Sequence, residues 1–232
     1  MSSSRRTPVP GLVVAIDGTS GSGKSSTSRG VAARLGMRYL DTGAMFRAMT
    51  WWLLGEGVDV HDPAAVAARC SEPEIVSGTD PLDPTITVDG VDVAAEIRSD
   101  PVNAAVSPVS VVPEVRTRLL QLQRETIARD AAVTGIVVEG RDIGSVVAPD
   151  APVKLYLSAD PSARAVRRAA EAGGDVAATQ ESLLARDRID SSRATAPLTM
   201  ADGAVHLDTT PYTLDEVIDR VVALVEDVEA RT

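Results

Sequence analysis

The stretch that decides the fold is Gly18-Thr19-Ser20-Gly21-Ser22-Gly23-Lys24-Ser25. An apolar run at 12–16 precedes it, and a helix-compatible run at 26–35 follows it. The spacing Gly-x-x-x-x-Gly-Lys-Ser between a strand and a helix is typical of a phosphate-binding loop, the P-loop. Its glycines let successive backbone N–H groups point inward around an anion, beside the positive end of the following helix. The stretch therefore predicts that the chain binds a nucleoside triphosphate.

Two side chains of the P-loop have predicted roles. Lys24 is expected to reach the β- and γ-phosphates, and the hydroxyl of Ser25 is expected to bind Mg²⁺. The alternative is a glycine- and serine-rich turn that binds nothing. The strand, the loop, the Lys-Ser pair and the helix all occur in register, and this agreement favours the P-loop.

The length and composition are those of an ordinary globular chain. Its 232 residues suit one domain with insertions, and 44% of them are hydrophobic. Aromatic residues make up 3%, so the core must be built from Ala, Val, Leu and Ile. A formal net charge of -10 argues against nucleic acid or an anionic membrane as the main partner. It does not argue against a small nucleotide, because a local cluster of arginines can outweigh the overall charge.

Several features predict what the chain lacks. The single cysteine, Cys70, excludes an intramolecular disulfide and is expected to be a passive side chain. Residues 1–10 carry no apolar segment, so we expect a disordered tail there and no signal peptide. No apolar run approaches membrane-spanning length, so a cytoplasmic enzyme is expected. His61 and His206 have no accompanying cysteines or paired acids, so no zinc site is predicted.

The hydrophobic pattern predicts strands that alternate with helices. The predicted strands are 11–16, 37–40, 135–138, 153–157 and 205–207. The predicted helices are 26–35, 44–54, 113–129 and 213–229. A capping box formed by Thr213 and Glu216 begins the last helix. This order predicts an α/β fold, with a parallel sheet of about five strands and helices on both of its faces.

Residues 61–100 have a different character. Four prolines interrupt them, and a β-like alternation at 85–88 leads into Asp89-Gly90, a strong hairpin-turn signal. We therefore predict a small antiparallel insertion at the rim of the main sheet. A disordered linker is the alternative, and the definite strand pattern around the turn disfavours it.

Polar residues follow three of the predicted parallel strands. They are Asp17 after the first strand, Asp41-Thr42-Gly43 after the second, and Glu139-Gly140-Arg141-Asp142 after the third. Ligands of such sheets bind beyond the carboxyl ends of the strands. Each stretch alone could be a turn or a helix cap. Their joint placement with the P-loop indicates a site.

Arginines gather between the fourth and fifth predicted strands. Two groups each share a helical face by their spacing: Arg164, Arg167 and Arg168, and then Arg186, Asp190 and Arg193. A solvated charged surface is the alternative, and nearby acids could pair with some of the charge. Arginine suits bidentate phosphate contacts and the neutralisation of a transferring phosphoryl group. Because Gly173-Gly174 breaks the helical pattern, the region is predicted to be a closing lid.

Several motifs resemble those of bacterial cytidylate kinases. They are Asp41-Thr42-Gly43-Ala44-Met45-Phe46-Arg47, Gly140-Arg141-Asp142-Ile143-Gly144, and Arg186-Asp187-x-x-Asp190-x-x-Arg193 followed by Ala196-Pro197-Leu198. The insertion, with Asp89-Gly90-x-Asp92-Val93 and Ile97-Arg98, also resembles the monophosphate-binding domain of that family. The resemblance runs from about 12 to 228. It implies a P-loop nucleoside monophosphate kinase that uses Mg²⁺ and transfers the γ-phosphoryl group of ATP to CMP or dCMP.

The resemblance also implies roles for individual residues. The implied ATP-binding set is Gly18, Thr19, Ser20, Gly21, Ser22, Gly23, Lys24, Ser25, Ser26 and Arg164. The implied acceptor phosphate ligands are Arg47, Arg141 and Arg193, the sugar ligands are Arg186 and Asp190, and the cytosine-reading residues are Ser107, Arg116 and Asp142. Thr42 and Phe46 complete the CMP-binding set. The implied catalytic groups are Lys24, Arg141, Arg167 and Arg168, with Mg²⁺ on Ser25 and no general base.

Two residues depart from the family pattern. Phe46 stands where many relatives have Tyr, so any contact through that hydroxyl is lost and packing remains. Glu139 stands where an Asp is often found, and it is a candidate to hold a Mg²⁺-bound water.

The implied organisation is a single kinase domain at 11–232. Its core comprises 11–52, 113–160 and 181–232, its monophosphate-binding insertion is 53–112, and its lid is 161–180. We expect a monomer that acts on ATP, CMP and dCMP, without a nucleic-acid or membrane partner.

Two alternative functions stay open at this point. A GTPase-type switch would need a guanine-reading Asn-Lys-x-Asp stretch, which the sequence lacks. A P-loop kinase for another small acceptor, such as a sugar or shikimate, would need fewer arginines on the acceptor side. The arginines favour an acceptor that already carries phosphate.

Overall fold

A computed structural model describes residues 10–172, 174–192 and 198–231 of the chain. The strands in these residues are β1 (Val13–Gly18), β2 (Arg38–Asp41), β3 (Ile75–Ser77), β4 (Ile86–Val88), β5 (Val91–Asp92), β6 (Ile136–Glu139), β7 (Val153–Ser158) and β8 (Val205–Asp208). The helices are α1 (Lys24–Leu35), α2 (Thr42–Gly55), α3 (Pro63–Arg69), α4 (Asp100–Ser110), α5 (Pro113–Thr134), α6 (Pro161–Ala172), α7 (Val176–Ser192) and α8 (Leu214–Glu229). Short helical turns lie at Glu96–Arg98 and Ile143–Val147.

Five parallel strands form the main sheet in the order β2-β6-β1-β7-β8. The central strand β1 pairs with β6 on one side, Ile16 opposite Glu139, and with β7 on the other, Gly18 opposite Leu157. The strands β1 and β6 are buried on both faces, which explains why they read as largely apolar runs. The predicted α/β fold is confirmed. All five predicted strands exist, with ends that differ by one or two residues.

Helices cover both faces of the sheet and define two hydrophobic clusters. Helices α1 and α8 pack on one face, where Val31 and Val221 are fully buried beside Val14 of β1. Helices α2 and α5 and the insertion pack on the other face, around Ala15, Met49 and Leu119. The capping box that begins α8 is present: the Thr213 hydroxyl accepts from the Glu216 N–H, and the Glu216 carboxylate accepts from the Thr213 N–H.

The insertion contains the predicted antiparallel sheet. Its three strands lie in the order β3-β4-β5, and Asp89-Gly90 joins β4 to β5. Both turn residues have positive φ, 51° for Asp89 and 80° for Gly90. A two-residue hairpin turn needs positive φ at both positions to match the right-handed twist of the strands it joins. The side chain of Asp89 also accepts a hydrogen bond from the backbone N–H of Glu74 at 2.8 Å. The Asp89-Gly90 turn therefore also contacts the residue that precedes β3, the first strand of the insertion.

Two helices of the insertion were not predicted. Helix α3 begins with Pro63, after Asp62 caps its first N–H groups, and helix α4 has Pro101 in its first turn. Proline is tolerated there, because the first N–H groups of a helix have no partner within the helix. Of the four prolines that we interpreted as interruptions, Pro63 therefore marks a helix start.

Several predictions about organisation stay predictions. The division into core, insertion and lid is one of them, and α2 and α7 each run without a break across one of its proposed boundaries, at 52–53 and 180–181. Residues 1–9 of the expected tail lie outside the described residues. In the part of the chain that the structure describes, no helix has both the length and the apolar character needed to cross a membrane.

Candidate active site

The P-loop connects the central strand to the start of α1. Gly18 has φ 145°, and a Cβ on it would lie 1.9 Å from the carbonyl oxygen of Leu157 on β7, so a side chain cannot fit. Gly23 has φ 85° and directly precedes the helix, which begins at Lys24. The positive end of α1 and its free N–H groups therefore face the loop, which is the geometry of an anion site.

One cavity of about 300 Å³ lies beside the loop. The predicted site residues that line it are Ser20, Gly21, Gly23, Lys24, Ser25, Ser26, Thr42, Phe46, Arg47, Ser107, Arg116, Glu139, Arg141, Asp142, Arg167, Arg168 and Asp190. Four predicted ATP-binding residues do not line it: Gly18, Thr19, Ser22 and Arg164. Residues from the P-loop, the ends of strands, and helices α2, α4, α5, α6 and α7 therefore share a single space.

Lys24 and Glu139 are buried opposite charges in this cavity. The ammonium of Lys24 donates to the carbonyl oxygen of Thr19 at 2.6 Å, and the carboxylate of Glu139 accepts from the Tyr39 hydroxyl. Burial lowers the pKa of Lys24, and nearby Arg141 lowers it further, while Glu139 opposes the change. Burial raises the pKa of Glu139, and Lys24 opposes that change. A triphosphate in the loop would add the negative charge that keeps Lys24 protonated.

Asp17 holds the segment that follows β6. Its two carboxylate oxygens accept from the backbone N–H groups of Ile143, at 2.7 Å, and Gly144, at 2.8 Å. Burial raises the pKa of Asp17 from 3.8 to about 6, although these two hydrogen bonds lower it. Arg141 and Asp142 lie in the same turn, so the carboxylate of Asp17 fixes the backbone that carries two predicted CMP ligands.

Arg116 and Asp142 form an ion pair at one end of the cavity. Their side chains are 11% and 9% exposed, so the pair is largely shielded from water. Arg116 also donates to the carbonyl oxygen of Ser110 at 3.2 Å, and its guanidinium lies 5.6 Å from the ring centre of Phe46. These partners hold a cation and a carboxylate side by side, so the pair offers both hydrogen-bond donors and acceptors.

Arg141 joins three parts of the site. Its guanidinium donates to the carbonyl oxygen of Gly18 at 2.6 Å and to the carboxylate of Asp190 on α7 at 2.8 Å. Arg47, on α2, donates to the side chain of Asn103 at 2.6 Å and to the carbonyl oxygen of Ile97 at 3.2 Å. Two of the three predicted phosphate ligands, Arg47 and Arg141, are therefore oriented by neighbouring protein groups.

The three arginines of α6 have different surroundings. Arg164 is buried, and its guanidinium donates to the carbonyl oxygen of Ser20 at 2.8 Å. Arg167 donates to both the hydroxyl and the carbonyl oxygen of Thr209, at 3.1 and 2.9 Å. Arg167 and Arg168 line the cavity, whereas Arg164 lies behind the loop. Of the three arginines on this face of α6, Arg167 and Arg168 line the cavity, and Arg164 contacts the backbone of the P-loop.

Comparison with known proteins agrees with this geometry. The family model described as cytidylate kinase matches residues 14–227. The chain belongs to the cytidylate kinase family. A protein named cytidylate kinase from Streptomyces avermitilis is 59% identical, and the match covers 96% of each chain. Another of that name, from Streptomyces griseus, is 56% identical over 97% of each chain.

A solved structure also shares the fold. A protein from Eubacterium ventriosum has a TM-score of 0.52 and 12% identity, and the match covers 93% of this chain and 98% of that one. At this identity the likeness supports the fold and nothing more.

Two predicted CMP ligands of the cytidylate kinase pattern cannot be placed. Arg193, with the neighbouring Ala196-Pro197, lies outside the described residues, and so does the side chain of Arg186. Their roles stay predictions.

The structure also adds residues of this family member that the sequence did not single out. Arg98 lines the cavity, and its guanidinium lies 4.0 Å from the carboxylate of Asp41. Asn103 orients Arg47 and donates to the carbonyl oxygen of Arg98 at 2.8 Å. Arg98 belongs to the Ile97-Arg98 motif that resembles the family, so the sequence could have indicated it. No sequence pattern indicated Asn103.

The raised pKa of Asp17 predicts a pH-dependent stability. The folded chain keeps the proton of Asp17 up to about pH 6, whereas the unfolded chain releases it near 3.8, so the stability that this proton provides is lost as pH rises between these values. The interval corresponds to about 3 kcal/mol, at roughly 1.4 kcal/mol per pH unit. As pH rises through this interval, the free energy of unfolding of the wild type should therefore fall by up to about 3 kcal/mol relative to that of Asp17→Asn.

Urea denaturation of both proteins at a series of pH values from about 3.5 to about 7.5 measures this difference. A difference that does not change with pH contradicts the prediction.

Proposed function

We propose that this chain transfers the γ-phosphoryl group of ATP to CMP or dCMP and releases ADP with CDP or dCDP. The observation that carries the proposal is the shared cavity, which is lined at one end by the P-loop and at the other by the Arg116–Asp142 pair. The relatives named cytidylate kinase support the same activity over nearly the whole chain. They do not favour a GTPase-type switch or a kinase for a sugar or shikimate.

The P-loop residues 18–26 are the proposed site for the phosphates of ATP. Backbone N–H groups at the start of α1 would surround the phosphates, and Lys24 would contact the β- and γ-phosphates. These donors are fixed by the fold before ATP arrives, so little reorganisation is needed when charge develops on the transferring group.

The residues beside Lys24 fit a Mg²⁺ ion. The Ser25 hydroxyl and the Glu139 carboxylate both line the cavity, and a hydrogen bond between their side chains is one of the contacts that lower the pKa of Glu139. Oxygen ligands of this kind suit Mg²⁺, which commonly binds through one or two protein groups together with phosphates and water. Ser25 would bind the ion directly and Glu139 would hold one of its waters. When bound, Mg²⁺ would neutralise part of the charge on the transferring phosphoryl group.

The opposite end of the cavity is the proposed site for CMP. Arg47 and Arg141 would hold its phosphate, together with Arg193, and Asp190 with Arg186 would hold the sugar. The carboxylate of Asp142 would accept from the exocyclic amine of cytosine, and Arg116 would donate to the acceptors of the base. Ser107, Thr42 and Phe46 complete the proposed pocket. Uracil has a carbonyl oxygen in place of that amine, and the carboxylate would repel it.

The transfer itself requires positioning and positive charge. An oxygen of the CMP phosphate attacks the γ-phosphorus of ATP, a new P–O bond forms, and the bond from the γ-phosphorus to the bridging oxygen of ADP breaks. The attacking phosphate oxygen is already ionised near neutral pH, so we assign no general base. Lys24, Arg141, Arg167 and Arg168 would align the two nucleotides and neutralise the charge between them.

The lid and the assembly state remain part of the proposal. Residues 161–180 would close over ATP and exclude water, which would otherwise compete with CMP as the acceptor. We also propose a monomer that acts in the cytoplasm, and the net charge of -10 supports the proposal that it has no nucleic-acid partner.

The direct test is a panel of acceptors. The chain is incubated with ATP and Mg²⁺ and, in turn, with CMP, dCMP, UMP, AMP and shikimate, and ADP release is followed. We expect kcat/KM to be highest for CMP or dCMP. Turnover of shikimate without turnover of CMP contradicts the proposal, and so does tight GTP binding without any transfer.

Removal of the P-loop lysine should abolish transfer. We expect Lys24→Ala to lower kcat/KM by about 100-fold or more, because one preorganised charge contact to the transferring group is lost. Lys154→Ala is the matched control, since Lys154 is the only other lysine of the sequence and does not line the cavity. Unchanged kcat/KM in Lys24→Ala, with the fold intact by circular dichroism, contradicts the assignment.

The base-reading pair should set the preference for cytosine. We expect Asp142→Ala and Arg116→Met to lower the ratio of kcat/KM for CMP over UMP by about tenfold or more. Asp142→Asn should shift the ratio furthest, because its amide can donate to the carbonyl oxygen of uracil. An equal loss for both acceptors would show that these residues support the fold and do not read the base.

A further inference from the structure

A carboxylate of α7 that does not line the cavity contacts the P-loop. One oxygen of Asp187 accepts a hydrogen bond from the backbone N–H of Ser20 at 3.0 Å. The other oxygen accepts from the guanidinium of Arg164 at 2.5 Å. The side chain of Asp187 is 14% exposed, and that of Arg164 is 4% exposed. A nearly buried ion pair therefore adjoins the loop that is proposed to bind ATP.

The same ion pair also binds the backbone carbonyl group of Ser20. The guanidinium that contacts Asp187 donates to the carbonyl oxygen of Ser20 at 2.8 Å, and its Nε donates to the carbonyl oxygen of Ala159 at 3.1 Å. Both backbone polar groups of Ser20 are thus bound by α6 and α7. The next residue, Gly21, is packed against the same region, since a Cβ on it would lie 3.3 Å from the Cβ of Arg164.

This arrangement has a consequence for the phosphates. The N–H groups of an anion site bind well when their directions are fixed before the ligand arrives, because otherwise binding must also order the loop. A lone carboxylate beside the loop would repel a triphosphate, whereas a carboxylate paired with Arg164 carries little net charge. The pair can therefore fix the loop without opposing the anion.

We propose that Asp187 is a positioning residue for the donor nucleotide. Together with Arg164 it fixes the backbone at Ser20 and so sets the direction of the N–H groups that follow in the P-loop. Neither side chain lines the cavity, so Asp187 acts through the loop. This inference rests on the proposed function of the P-loop as the ATP site.

Helix α7 provides a comparison within the same segment. Asp190 lies three residues after Asp187 and so on the same side of the helix, but its carboxylate binds Arg141, a proposed ligand of the acceptor phosphate. The two carboxylates thus support opposite ends of the cavity. A change at Asp187 should affect ATP, whereas a change at Asp190 should affect CMP.

The experiment measures the KM for ATP and the KM for CMP separately in a set of variants. We expect Asp187→Ala to raise the KM for ATP by about tenfold or more, because the hydrogen bond to the Ser20 N–H and the ion pair that orients Arg164 are both lost. Asp187→Asn keeps an acceptor for the Ser20 N–H and loses the charge, so its effect should be smaller. The KM for CMP should stay within about twofold in both. Asp190→Asn should show the reverse pattern.

Two further variants separate positioning from general stability. Glu181→Gln removes an exposed charge from the same helix and should leave both KM values unchanged. In Arg164→Ala combined with Asp187→Ala, the rise in the KM for ATP should be well below the product of the two single effects, because the pair acts as a unit.

A KM for ATP within about twofold of the wild type in Asp187→Ala, or an equal rise for ATP and CMP, overturns the inference. If Asp187→Ala does not fold, the same criteria apply to Asp187→Asn. Titration with a fluorescent ATP analogue, without an acceptor, gives the dissociation constant directly. Should the wild type fail to phosphorylate CMP, the proposed function falls, while this titration still decides whether Asp187 supports ATP binding.

Discussion

The P-loop depends on a position at the end of the central strand, Gly18, where the neighbouring strand leaves no room for a side chain. Gly18 ends the central strand, and a Cβ there would lie 1.9 Å from the carbonyl oxygen of Leu157 on the neighbouring strand β7. With glycine at this position β1 stays paired with β7 while the chain turns into the loop. Since β1 is also paired with β6, the loop emerges beside the turn that carries Arg141 and Asp142. The P-loop and the turn that carries Arg141 and Asp142 are therefore brought together by the pairing of β1 with its two neighbours.

The site also shows how an acidic chain can receive anionic ligands. The net charge is -10, yet the arginines around the cavity meet carboxylates across long sequence distances. The pairs are Arg116 with Asp142, Arg141 with Asp190, and Arg164 with Asp187. Each carboxylate neutralises and orients a guanidinium. The pairs therefore avoid the cost of burying an unpaired cation.

The sequence predicted the elements whose pattern is local. Buried parallel strands read as apolar runs, so β6 was predicted at 135–138 and lies at Ile136–Glu139. The Asp89-Gly90 turn was equally clear. Helix α3 was missed because Pro63 was interpreted as an interruption, although it fits a first helical turn, and helix α4 was not singled out by any sequence pattern. Helical spacing placed Arg164 and Arg168 on one face, but tertiary packing alone decides that one lies behind the P-loop and the other in the cavity.

The central claim is that two nucleotides meet end to end in one cavity and that the phosphoryl group passes directly between them. The most direct measurement uses ATP that oxygen isotopes make chiral at the γ-phosphorus, with CMP as acceptor, followed by analysis of the configuration in the product CDP. A single in-line transfer predicts inversion at phosphorus. Retention would show a phosphorylated intermediate on the protein and would contradict the account.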